Sequence, residues 1–187
     1  CVLLADDADE PVRPAILYGV DTRATAQIDR MTDELGVAEI TRVGGSTLTT
    51  QAGGPKIVWI ADEEPAAYAA ARRLFMPASW LARHLTGAYV LDHQSASQVS
   101  PLYDVEREEW HADNWARYAP GIEAPRLLWA GDIAGQVTDA AAAATGLPAG
   151  IPVIAGTIDA WSEAVSVGAH EFGDLMLMYG TTMFLVA

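Results

Sequence analysis

The sequence predicts a mixed α/β fold, or its α+β variant, on three observations. Apolar runs at 2–5, 151–155 and 175–179 have the length and aliphatic content of strands. Segments at 22–35 and 139–145 carry helical spacing or a run of helix-favouring alanine. Glycine and proline punctuate the chain between such segments. The two element types are interleaved rather than segregated, which is the mark of the mixed class.

In order, residues 2–5 read as a strand, 6–10 as an acidic turn and 14–20 as a second strand. Asp21 is placed to cap a helix over 22–35, whose Ala24, Ile28, Met31 and Leu35 share a face, with Gly36 as its stop. Residues 43–54 form a Gly/Thr loop. Pro55 then opens a helix over 56–61 as its first residue. Pro65 restarts a helix to about Arg73, and Pro77 opens another over 78–85, closed by Thr86 and Gly87. Residues 89–100 are small and polar, and 103–109 are turn-like. Residues 110–118 look helical up to Pro120 and Gly121. Residues 133–137 suit a loop or short strand. Thr138 caps the alanine helix 139–145, and Gly146 ends it. A strand at 151–155, a helix from about Ala160 and a strand at 175–179 complete the reading.

Composition bounds the function. The chain has 187 residues, 51% of them hydrophobic, with 25 acidic against 11 basic residues and a net charge of −14. Such a field repels duplex nucleic acid and anionic membranes. A nucleotide would need local donors or a metal ion to approach it. The apolar runs, about seven residues at most, are too short to span a bilayer. The single cysteine, Cys1, excludes an internal disulfide and a Cys-based zinc cage. A cytoplasmic setting is expected.

Three constellations could carry chemistry. Asp159 follows the strand at 151–155, where ligands of open α/β sheets gather. It is either a helix cap or a carboxylate able to take a proton from an attacking hydroxyl and to hold a metal-bound water. Asp21 and Arg23, in the run from Tyr18 to Arg23, are either a cap with a neighbouring cation or polar partners for a polyol. Gly180, Thr181 and Thr182 form a small-residue turn whose N–H and hydroxyl groups suit phosphate oxygens, and such turns are also common without function. The four histidines lack metal-ligand spacing. No P-loop, nucleophile elbow or Rossmann glycine pattern occurs.

The order of these segments is more specific than any one of them, and it resembles the FGGY family of carbohydrate kinases. Ala15 to Arg23 is similar to that family's ILW-D-R segment, and Pro55-Lys56 to Ile60 to its PKLLWL helix. Met76-Pro77 with Trp80-Leu81, then Leu85-Thr86-Gly87, match P-D-YL and LTG. Asp92 with Ser95-Ala96-Ser97 matches TD-S-AS, and Trp110 matches a later tryptophan. Gly146-Leu147 to Asp159 and Gly180-Thr181-Thr182 match GL-GTPV-GGGD and GTS.

The resemblance implies an actin-like ATPase, ribonuclease-H-like fold of two domains that uses ATP and Mg2+ to phosphorylate a sugar or polyol. It implies that Asp159 is the general base and contacts the metal through water. Gly180, Thr181 and Thr182 would meet the nucleotide, and Tyr18 and Asp21 the sugar. Residues 1–172 would belong to the sugar-binding domain and 173–187 to the start of the nucleotide-binding domain. The phosphate loop is expected before Cys1 and the adenine site after Ala187, so the piece alone would be inactive. Oligomeric state stays open, a homodimer included. The chain departs from the family at Thr157 and Ile158, where glycines are usual, and at Ala78-Ser79-Trp80. These departures keep a non-catalytic sugar-binding or regulatory module as the alternative. An unrelated α/β domain with Asp159 as a mere cap is a third reading.

Overall fold

Strands and helices alternate along the computed structural model, which describes residues 1–180 and 183–186. The mixed α/β expectation holds. The strands form paired ribbons. Strand β1 (Leu3–Ala5) pairs antiparallel with β2 (Arg73–Phe75). Helices α1 (Thr25–Leu35), α2 (Val37–Gly44), α3 (Gly53–Glu63) and α4 (Pro65–Ala70) fill the interval between them. Helix α5 (Pro77–Thr86) leads to β3 (Val90–Asp92) and the short α6 (His93–Ser97). A hairpin of β4 (Tyr103–Asp104) and β5 (Glu109–Trp110) precedes α7 (Ala112–Tyr118). Strand β6 (Arg126–Leu128) then returns parallel to β3. Strands β7 (Ile133–Gln136) and β8 (Pro152–Ile154) flank α8 (Asp139–Thr145) and pair antiparallel. Helix α9 (Asp159–Ser166) is followed by β9 (Met176–Tyr179), which pairs with β10 (Met183–Val186).

The main core joins β1 to the helices: Val2, Leu4, Ile16, Met31, Ile57, Ile60, Leu74, Leu91 and Leu102 are buried in one cluster. Ala82, Val90 and Ala134 form a smaller cluster between α5, β3 and β7. Phe75 meets Trp80 and Tyr89 edge-on, with ring centroids 5.1 and 5.3 Å away.

Several boundaries differ from expectation for physical reasons. Residues 14–20 are not a strand. Only Ile16 bridges to Val2, while Leu17, Tyr18 and Val20 face solvent and the segment turns. Asp21 does not cap α1, which starts later with Ala24 at its N-cap, because the Asp21 carboxylate is taken by Arg23. The 43–54 loop is shorter than its glycines suggest. Helix α2 runs to Gly44, and α3 already begins at Gly53, leaving Pro55 in its third position. These glycines permit close packing rather than turning: a Cβ on Gly54 would lie 2.5 Å from the Ser100 carbonyl oxygen. Helix α4 ends at Ala70, and Arg73 opens a strand instead. The polar stretch 89–100 holds β3 and α6, with Asp92 as the cap of α6. Strand β8 belongs to an antiparallel pair, so Asp159 does not follow a strand of an open parallel sheet. Thr138 and Gly146 bound α8 as read: the Thr138 hydroxyl accepts from the Ala141 N–H, and Gly146 is left-handed at φ 78°.

Candidate functional site

The loop 17–23 is shaped by side chains reaching up from α3 and the segment before it. Lys56, 1% exposed, extends its stem through the core and donates from Nζ to the Leu17 carbonyl at 2.6 Å. Burial lowers the Lys56 pKa, and the nearby Asp21 carboxylate opposes that shift. Thr50 donates its hydroxyl to the Gly19 carbonyl at 3.0 Å. Within the loop the Asp21 N–H donates to the Tyr18 carbonyl at 3.0 Å.

Asp21 and Arg23 form a forked pair. Arg23 Nε donates to the two Asp21 oxygens at 2.8 and 3.0 Å, and Nη2 reaches Oδ2 at 2.8 Å. The hydrogen bond from Arg23 holds Asp21 below the usual carboxylate range, although partial burial pushes the other way. The Arg23 guanidinium lies 4.8 Å from the centre of the Trp59 ring, and Arg13 approaches the same ring at 5.7 Å. Tyr18, 62% exposed, projects from this loop. The surface thus offers a planar cation, a carboxylate and a phenol, groups suited to several directed hydrogen bonds with a polyol.

Asp159 stands at the first position of α9, with Ile158 rather than Asp159 as the N-cap. Its Oδ1 accepts from the Ala160 N–H at 2.9 Å, and the side chain is otherwise open to solvent. Among the described residues no hydrogen bond or ion pair joins Asp159 to the 17–23 loop.

Gly180 is exposed in the bend after β9. The other two residues of that expected phosphate contact, Thr181 and Thr182, lie outside the described residues. Among the described residues no group of three or more His, Cys, Asp or Glu side chains could hold a metal ion. Asp159 brings one carboxylate, which does not amount to a cation site. No helix among them is long and apolar enough to cross a membrane.

Sequence reasoning did not single out three residues of this region for a role: Lys56, Asp92 and Thr157. A lone lysine in the apolar run PKIVWI was the available signal for the first. An aspartate ending the apolar run YVLD three residues before Ser95 was the signal for the second.

The fold is one found in solved structures of carbohydrate kinases. The structure of xylulose kinase from Rhodospirillum rubrum is similar to it at TM-score 0.88 and 29% identity, covering 96% of this chain and 36% of that one. The glycerol kinase of Plasmodium falciparum, solved with ADP, shares the fold at TM-score 0.84 and 20% identity, covering 98% of this chain and 37% of the other. The FGGY family of carbohydrate kinases, N-terminal domain, matches residues 1–166. The chain belongs to the FGGY family of carbohydrate kinases. Among curated relatives, the xylulose kinase of Streptomyces coelicolor is 32% identical, covering 95% of this chain and 36% of its own length. The xylulose kinase of Klebsiella pneumoniae is 27% identical, covering 96% and 36%. The chain thus spans little more than a third of the length of these relatives.

Proposed function

We propose that this chain is the sugar-binding portion of an ATP-dependent kinase for a sugar or polyol, with Asp159 as the general base. The observation that carries the reading is the open carboxylate of Asp159: it stands exposed in the first turn of α9 and is held only by the Ala160 N–H, which leaves an oxygen free for a substrate hydroxyl. A substrate hydroxyl positioned by Asp21, Arg23 and Tyr18 gives its proton to Asp159 as its oxygen attacks the γ-phosphorus of ATP. The new P–O bond forms as the bond to the β,γ-bridging oxygen breaks, and ADP leaves.

Gly180, with Thr181 and Thr182 in sequence, is the proposed nucleotide contact. Magnesium would neutralise phosphate charge and touch Asp159 only through water, and no step is assigned to it because the described residues do not form its site. In this proposal the parent has the actin-like, ribonuclease-H-like two-domain fold, and the boundary falls at Phe172–Gly173. The similar xylulose kinases make a ketopentose the first substrate class to try, and a cytoplasmic location suits such metabolism.

Asp159→Asn in the full-length kinase is expected to lower kcat by about 10²–10⁴-fold with little loss of stability. Near-normal turnover with ketoses and polyols would overturn the base assignment. A second reading, a sugar-binding module without transfer, is favoured by Thr157 and Ile158 in place of the usual glycines. Calorimetry of the full-length protein separates the two: sugar binding without nucleotide binding or turnover supports the module.

A further inference from the structure

The connection from β8 to α9 is only four residues long, and it decides where Asp159 points. Its first part is fixed by backbone. The Ala155 N–H donates to the Asp132 carbonyl at 2.9 Å, and the Gly156 N–H to the Ala130 carbonyl at 3.0 Å. Gly156 takes φ 71°, where a side chain would be strained, and a Cβ there would meet that of Ala78 at 3.3 Å. Beyond Gly156 the tether changes to a side chain. Thr157 donates its hydroxyl to Oδ1 of Asp92 at 2.8 Å, across 65 positions of sequence.

Asp92 is a firm anchor. It is 1% exposed, ends β3, pairs there with Leu128, and caps α6 by accepting from the Ser95 N–H at 3.0 Å. Its second oxygen, Oδ2, is buried and has no donor among the described residues. The Thr157 hydroxyl and the Ser95 N–H both donate to Oδ1 and are the donors this buried carboxylate has among the described residues. Such a group holds its donors strongly, because freeing one leaves buried charge less compensated.

We propose that Asp92 is a positioning residue for the transfer reaction. Acting through Thr157, it fixes the entry of α9 and so the direction in which the Asp159 carboxylate meets the substrate hydroxyl. The inference rests on Asp159 being the base. In this chain a side-chain clamp stands where the family usually has glycine, so the departure at Thr157 replaces one means of fixing the turn by another. General-base catalysis depends on hydrogen-bond reach, and a displacement of about 1 Å can cost about a hundredfold.

The test is steady-state kinetics of the full-length kinase with a sugar that it turns over. Thr157→Val removes the hydroxyl and keeps the shape. Thr157→Ala removes it with no risk of crowding, and Thr157→Ser restores it. The valine and alanine variants are expected to lose about ten- to a hundredfold in kcat, with KM for ATP and sugar little changed, and serine to recover most of the loss. Wild-type kcat in the valine or alanine variant, beside an inactive Asp159→Asn, would overturn the positioning role alone. So would a serine variant as slow as valine. Normal turnover by Asp159→Asn would bring down the base reading and this inference together.

Discussion

Asp9 shows how single residues hold this chain together at a distance from the candidate site. It adopts φ 65° in the acidic turn after β1 and accepts from Arg73 Nη1 at 2.7 Å and Arg83 Nε at 2.8 Å. Burial pushes its pKa up, but the hydrogen bonds from Arg83 and Arg73 outweigh that and leave it lowered. The native state then binds fewer protons than the unfolded chain over the window between the two pKa values. The stabilisation is complete above the unfolded carboxylate pKa of about 4 and is lost as pH falls through the lower native value. Asp9→Asn is therefore expected to lower the urea midpoint near neutrality and to flatten its decline with acid. An acid slope as steep as in the wild type would count against the role. At this scale the sequence is a partial guide: the Asp21–Arg23 pair is local and forms, although Asp21 does not cap α1. The partners of Asp92 and Lys56 lie 65 and 39 positions away, and such pairings leave no local pattern.

Elements bounded by local chemistry were legible, and those bounded by packing were not. Helix α8 runs as read because Thr138 and Gly146 cap it by themselves. Thr138→Ala should cost about 1 kcal/mol, read as a shift in the denaturant midpoint with unchanged slope. The start of α3 was misread because Gly53 and Gly54 resemble loop residues. Their reason is tertiary: the helix lies against residues 98–102, and a methyl on Gly54 would press on the Ser100 carbonyl oxygen and on Leu102. Gly54→Ala is expected to destabilise by roughly 1–3 kcal/mol through overpacking, although alanine is the better helix former. A stability gain in thermal unfolding would show that the helix can shift to make room. Likewise β2, β3 and β6 have three residues each, too short for any periodicity to announce them.

Across the whole chain, burial is uneven. The main core gathers around β1, α3 and β2, whereas Trp161, Val165, Phe172, Leu177, Tyr179, Met183 and Leu185 face solvent in the last part. Protection from hydrogen exchange is expected to follow this division, high for Ile57 and Ile60 in α3 and low through β9 and β10. Equal protection in both regions would contradict it. Because the chain spans little more than a third of the length of its relatives, it is expected to show no sugar-dependent ATP turnover by itself. Robust turnover would refute that. The pairing of Trp59 with Arg13 and Arg23 has an optical consequence. An indole beside two guanidinium groups emits according to how closely they approach, so a sugar that draws Arg23 away changes the fluorescence. If the proposed sugar contact at Arg23 holds, Trp59 reports occupancy in the full-length protein, and Trp59→Phe is expected to silence the signal.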